Sequence, residues 1–431
     1  MLTTEDLQVK NLGECTLDSP CRLPDALYVS DAVRVRYAAE IPNETDSADE
    51  LAFEKAGPRK KIFFEPAETK AAIVTCGGIS PGLNDVIRSI VMQLYHKYGV
   101  AKILGIRFGY KGLNPENWLE PVKLTPLDVE RIHEAGGTVL GSSRGQEDPE
   151  VMAKTLEKLG INILFCIGGD GTLRGANLIW QAAAKRGLKV SIIGIPKTID
   201  NDIQYVSKSF GFDTAVSEAM AALGCAHTEA KGAPNGIGLV KVMGRDSGFI
   251  AAHATLASLD VNFTLIPEVP FDLHGKGGLF DVLEQRIKKR QHAVIVAAEG
   301  AGQEFFTSDS GHDASGNVKY KDIGVFLRDE IEKYFKAKQI PITLKYIDPS
   351  YIIRSVPANA SDSIFCAQLG QLAVHAAMAG KTDIILGQWH DVFTHVPIPI
   401  TVAGRKKIST EGSLWLNVLE ATGQPVSLKS A

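Results

Sequence analysis

Two stretches of the chain concentrate groups suited to handling phosphates. In Phe165-Cys-Ile-Gly-Gly-Asp-Gly-Thr-Leu-Arg-Gly175, Gly168, Gly169 and Gly171 surround a single acid, Asp170. Glycines let the main chain turn sharply and let a bulky anion come close to it. A helix opening just after them adds unpaired N–H groups and a positive dipole end that favour phosphate. Asp170 then offers a hard oxygen for the Mg²⁺ that accompanies a nucleotide or pyrophosphate. Taken alone, it fits equally well as a helix cap. The second stretch, Pro196-Lys-Thr-Ile-Asp-Asn-Asp202, packs a lysine, a hydroxyl and two acids into seven residues. Beside bound phosphates such an acid can take a proton from an attacking hydroxyl, and the lysine can balance charge.

Three further segments carry anion-binding chemistry. Met243-Gly-Arg-Asp-Ser-Gly-Phe249 offers Arg245 for bidentate contact with an anion and Gly244 for close approach. Glu299 follows the apolar run Ala293-Val-Ile-Val-Ala-Ala298 and could accept hydrogen bonds from sugar hydroxyls. Lys345, Tyr351 and Arg354 supply two cations and a phenol, a set suited to a phosphate monoester. Alone, the first is also explained as a capping turn with an exposed arginine, and the last as surface decoration.

The elements that must hold these groups are legible as alternating apolar runs, glycine-rich turns and helical patterns. Ala71–Thr75, Ile103–Ile106, Thr138–Leu140, Ile163–Ile167 and Val190–Ile195 read as strands at βα spacing. Amphipathic helices follow the first, to about Tyr98, and the Gly-Gly-Asp loop, to Gly187. That pattern predicts an α/β fold with a doubly wound, mainly parallel sheet, whose ligands sit at the carboxyl ends of the strands. Polar glycine turns recur there, at Gly77-Gly78, Gly109-Tyr-Lys-Gly112, Ser142-Ser-Arg-Gly145, Gly168 to Thr172, and Pro196 to Asp202. Ile237–Met243, Phe263–Ile266, Ala293–Ala297, Ile342–Leu344 and Ile384-Ile385 predict a second α/β lobe facing the first, with a cleft between them. The expected division is a leader over 1–70, a phosphoryl-donor lobe over 71–210 with part of 355–405, and a second lobe over 211–354 with the residues up to 431. The leader carries the acidic run Asn43–Glu50 and the basic turn Pro58–Lys61, and Phe305 to Lys321 reads as a surface loop.

The totals narrow the class. A chain of 431 residues is too long for one core. With 45% hydrophobic and 22% charged residues it has the composition of a globular protein. A net charge of −4 argues against nucleic acid as the main partner, and the absence of a long apolar run argues against a membrane span. Its six cysteines lack metal-ligand or CxxC spacing, so a reducing, cytoplasmic compartment is expected.

Taken in order, Gly-Gly-Ile-Ser-Pro-Gly, Gly-Gly-Asp-Gly-Thr, Pro-Lys-Thr-Ile-Asp-Asn-Asp, Met-Gly-Arg and Glu-Gly-Ala resemble the signatures of the phosphofructokinase family over nearly all of residues 70 to 400. The resemblance implies two Rossmann-like lobes and Mg²⁺-dependent phosphoryl transfer to the 1-hydroxyl of fructose 6-phosphate, a step of glycolysis. It assigns Asp200 as catalytic base, with Thr198 and Lys197 beside the transferring group and Asp170 at the metal. Gly78, Arg144, Gly145, Gly169, Asp170, Gly171 and Thr172 fall at its phosphoryl-donor positions. Thr198, Ile199, Asp200, Met243, Gly244, Arg245, Glu299, Tyr351 and Arg354 fall at its sugar-phosphate positions. It further implies a homo-oligomer, dimer or tetramer, and an allosteric enzyme.

The departures bear on the donor. The pyrophosphate-dependent branch typically has Asp at the position of Gly171, where it blocks the space of a nucleotide α-phosphate, and has lysine at the position of Lys197. This chain combines the open loop with the lysine. With Asn235 to Ala251 and the leader, the mixture resembles the ATP-dependent subgroup of plants, trypanosomatids and some bacteria, so ATP is the expected donor and pyrophosphate the alternative. Gly236 and Lys345 replace arginines of the common bacterial enzymes, so control of their kind does not carry over. Lys241 is placed to restore that charge. A regulatory homologue without chemistry is disfavoured because Asp170 and Asp200 are both present. An oxidoreductase is disfavoured by Pro81 inside the first glycine turn.

Overall fold

The computed structural model describes residues 2–40, 51–306, 311 and 319–430. The acidic run 43–50 and most of the loop from Phe305 to Lys321 lie outside the described residues. The chain divides into two compact units: Met1–Thr198 with Ile203–Gly211 and Ser355–Arg405, and Ile199–Asp202 with Phe212–Arg354 and Lys406–Ala431.

The first unit is built on a nine-stranded sheet. Its centre is parallel, in the order Ile384–Trp389, Ser191–Pro196, Ile163–Gly168, Lys70–Thr75, Lys102–Ile106. Ile163–Gly168 is buried along its whole length. Its alternate residues serve opposite cores, as the period of two in a strand requires. Phe165 and Ile167 pack with Leu83, Ile87 and Ile90 of the helix Leu83–Gln93 and with Leu369 of Ala360–Met378. Leu164 and Cys166 pack on the other face with Leu156 of Pro149–Leu159 and Leu173 of Asp170–Lys185. Cys76 and Cys166 are buried thiols, and burial pushes the Cys166 thiol up to about 12.

Two strand expectations need correction. Thr138–Leu140 forms a turn, because the Thr138 hydroxyl accepts the Leu140 N–H at 3.2 Å and Asn84 accepts that of Val139 at 3.0 Å. Side-chain oxygens have taken the N–H groups a strand ladder would use. The strand at Ile384-Ile385 belongs to the first unit's sheet and not to the second series, since it pairs in parallel with Ser191–Pro196. Both strands are apolar on both faces, which suits a central position.

The leader contributes Arg34–Arg36 and Ala52–Lys55 to one edge of the same sheet. Arg59 of its basic turn is buried, bonded to Asp31 at 2.6 Å and Glu54 at 2.9 Å. Burial opposes the charge on Glu54, but His395 at 2.9 Å and Lys381 at 3.0 Å outweigh it and hold the carboxyl at about 2.

The second unit holds a parallel four-stranded sheet in the order Phe263–Leu265, His292–Ala298, Gly236–Val242, Thr343–Ile347. Val240, Val242 and Val296 face the helices Phe212–Lys231 and Phe249–Ser258, whereas Leu239, Ile295 and Ala297 face Leu279–Arg290 and Ile323–Ala337. Among the described residues no helix is long and apolar enough to cross a membrane.

Candidate active site

In the first unit, strand order reverses between Lys70–Thr75 and Ile163–Gly168, and a crevice at their carboxyl ends is where an open α/β sheet binds ligand. The turns at those ends are bonded to one another. The Gly77 N–H donates to the Ser143 carbonyl at 3.0 Å, and the Ser142 hydroxyl to the Gly77 carbonyl at 2.7 Å. The Lys197 N–H donates to the Gly168 carbonyl at 3.0 Å, and its buried ammonium donates to the Gly78 carbonyl. Gly78, Gly169 and Lys197 are therefore neighbours: a Cβ on Gly169 would lie 3.3 Å from the Lys197 carbonyl. Arg144 and Gly145 are exposed on the turn that follows Ser142 and Ser143, with Gly145 at φ +112°.

Gly169 caps the helix Asp170–Lys185, which begins at Asp170 itself, inside the glycine-rich turn. Asp170 thus sits at the positive end of the helix dipole. Arg174 lies 3.5 Å and Arg405 3.8 Å from its carboxylate. Neither arginine is marked by the motifs; Arg174 follows from its spacing of four on the helix, whereas Arg405 has no local signal. Nothing lies within 4 Å of where a Gly171 Cβ would stand, so the loop is open at that residue. Thr172 is buried, packed where a Cβ on Gly168 would be, and its carbonyl accepts the Tyr110 hydroxyl at 2.6 Å. A Mg²⁺ that arrives with phosphates needs only one or two protein carboxylates, and Asp170 supplies one.

The chain passes from the first unit to the second between Thr198 and Ile199. The Thr198 carbonyl accepts the Ser209 hydroxyl at 2.7 Å within the first unit. In the second unit Ile199 is buried in the core, and the Asp200 carbonyl accepts the Ser247 hydroxyl at 3.2 Å.

Met243, Glu299 and Asp348 follow three neighbouring strand ends of the second unit. Gly244 has φ +128°, where a Cβ would fall 2.6 Å from the Ser247 carbonyl, so only glycine fits. The Glu299 N–H donates to Val242 at 2.9 Å and that of Gly300 to Gly244 at 3.1 Å, which brings Glu299 beside the Met-Gly-Arg turn. Met243 is half-buried against the core, and the Arg245 guanidinium lies 5.4 Å from the Tyr320 ring. Burial raises the pKa of Glu299, while Arg245, Lys241 and Arg354 pull it the other way. The Arg354 guanidinium lies 5.0 Å from the ring of Tyr351, which is 74% exposed. Lys345 is exposed on its strand. Lys241 is paired with Asp322 at 2.9 Å and Asp348 at 2.8 Å within the unit.

The packing of Gly300 yields a direct prediction. A Cβ there would lie 1.7 Å from the Arg245 carbonyl oxygen, which is backbone and cannot swing away. Gly300→Ala should cost about 1–3 kcal/mol of stability by overpacking and, on the expectation that Arg245 holds an anionic substrate, weaken binding of that substrate by displacing the turn. Thermal unfolding and a binding titration read both; an unchanged Tm would show that the turn yields freely.

The family model described as phosphofructokinase matches residues 70–377. An ATP-dependent 6-phosphofructokinase of Borreliella burgdorferi is 51% identical, with 99% of this chain and 98% of that protein covered. An ATP-dependent 6-phosphofructokinase of Trypanosoma brucei brucei is 43% identical, with 98% and 88% covered. Among solved structures, a pyrophosphate-dependent phosphofructokinase from Marinobacter aquaeolei aligns with a TM-score of 0.68 over 82% of this chain and 91% of that one, at 20% identity, a likeness of fold alone.

Proposed function

The chain belongs to the phosphofructokinase family, and from that premise we propose that it transfers the γ-phosphoryl of ATP to O1 of fructose 6-phosphate, giving fructose 1,6-bisphosphate and ADP. One observation carries the choice of donor: the space beside Gly171 is open. The relatives that cover nearly the whole chain bear ATP-dependent names, which supports the same choice.

Each residue then has a task. Gly78, Arg144, Gly145 and the N–H groups of Gly169 to Thr172 bind the donor phosphates, and Lys197 balances their charge. Mg²⁺, held by Asp170, supplies further charge neutralisation when bound. Arg245 and Arg354 take the sugar 6-phosphate, with Tyr351 beside it, and Glu299 accepts from sugar hydroxyls. Met243 and Ile199 give that site its apolar wall, and Gly244 lets it approach the main chain. Thr198 orients the transferring group. Asp200 removes the O1 proton as the O1–P bond forms and the bond from γ-phosphorus to the β,γ-bridging oxygen breaks. A cytoplasmic homo-oligomer, dimer or tetramer, belongs to the same proposal.

The test is fructose 1,6-bisphosphate formation with Mg²⁺ and either ATP or pyrophosphate, side by side. Turnover with ATP is expected. Turnover with pyrophosphate alone would mean that Lys197 outweighs the open loop, and turnover with neither would leave a regulatory homologue.

A further inference from the structure

A half-buried lysine outside the positions that the resemblance assigns touches the turn that carries Asp200. Lys406 opens the last segment of the second unit. Its N–H donates to the Asp202 carbonyl at 2.8 Å, and its ammonium donates to Asn201 Oδ1 at 3.1 Å. The ammonium also lies 5.1 Å from the centre of the Phe249 ring. Two residues on, the Ile408 N–H donates to Glu268 Oε1 at 3.0 Å, and that carboxylate also accepts the Gly248 N–H ahead of the helix Phe249–Ser258. The segment 406–408 is thus fastened to the turn at one end and to a helix start at the other.

Burying an ammonium is costly, and here burial lowers its pKa to about 8 while Asp202 pulls the other way. The residue it engages is the unusual one. Asn201 is buried and sits at φ +55°, directly after Asp200. A left-handed non-glycine residue persists where its surroundings over-determine it. The Asp200 carbonyl, the Asn201 side chain and the Asp202 carbonyl each receive a bond, from Ser247, the Lys406 ammonium and the Lys406 N–H respectively. The carboxylate of Asp200 is therefore aimed by a turn pinned at three consecutive residues. Of the three bonds, only the one to Asn201 holds a side chain in the left-handed residue.

We propose that Lys406 is a positioning residue for phosphoryl transfer, acting through Asn201 to hold the turn that aims Asp200. This rests on Asp200 being the base. Lys406→Met keeps the apolar stem and removes the donor; Lys406→Arg keeps a donor. Lys406→Met should lower kcat by about 10- to 100-fold, the scale of a misplaced reacting group, with KM for ATP nearly unchanged, and Lys406→Arg should recover part of the loss. Asn201→Gly accepts the left-handed backbone without help, so adding Lys406→Met to it should cost much less than it costs alone.

Steady-state kinetics of the full chain, with thermal unfolding of each variant, decide the matter. Undiminished kcat per folded enzyme in Lys406→Met, or losses that simply add in the double variant, would overturn the role of Lys406. Should Lys406→Met fail to fold, the single variants Lys406→Arg and Asn201→Gly still decide. Near wild-type kcat in Asn201→Gly with a partial loss in Lys406→Arg supports the role, and full kcat in Lys406→Arg with a collapse in Asn201→Gly overturns it. An unmodified enzyme inactive with ATP, by contrast, would overturn the reading of the active site itself.

Discussion

Asp200→Ser is expected to lower kcat by about two to four orders of magnitude, the range attributed to a positioned general base, while KM for fructose 6-phosphate and for ATP changes little. The substitution leaves the main chain supported, because the Asp200 carbonyl, not its carboxylate, receives the Ser247 hydroxyl. Serine is small enough for the half-buried position and cannot take a proton from O1 at neutral pH. A loss confined to kcat, with kcat/KM falling in step, is the signature of an interaction made only in the transition state. Initial rates across both substrates, with a binding titration of fructose 6-phosphate, separate the cases. A parallel loss of binding and turnover would mean that Asp200 holds the turn and does no proton transfer.

Gly171→Asp should reduce ATP-dependent kcat/KM by about 10²- to 10³-fold, as expected for a negative charge placed where phosphate must bind, and should spare pyrophosphate use by comparison. The substitution should leave the fold intact. Beyond its chain neighbours and its own helix backbone, nothing lies within 4 Å of the new Cβ, and Gly171 is not among the glycines at positive φ. An acid in the first turn of Asp170–Lys185 even suits the helix dipole. Any large loss must therefore come from the ligand side. Equal decline with both donors, at unchanged Tm, would show that the residue does not select between them.

Much of the architecture was written locally. Runs such as Ile163–Gly168 are apolar at every position and end in glycine, so their identity as buried parallel strands follows from composition alone. The same holds for the placing of Asp170, Met243 and Glu299 at strand or helix ends, because a polar group after such a run has nowhere to go but the end of the sheet. The order of the five motifs, and with it the family, was likewise legible. Thr138–Leu140 was not, since two β-favouring residues outweigh in any local pattern the side-chain bonds that turn the chain there.

Local patterns specify which residues stand at the ends of the elements. Which of them meet was decided by tertiary structure. Ile384–Trp389 joins the first sheet because strand pairing is non-local, and nothing in its own residues names Ser191–Pro196 as its neighbour. Nothing around Lys241 in the chain names Asp322 or Asp348, the two carboxylates that pair with it. Lys406 reads as one basic residue in a short run, yet it bonds Asn201 across 205 residues of chain. Periodicity reports how a segment is buried, because burial repeats with the backbone; partners distant along the chain leave no such repeat, so only the folded chain reveals them.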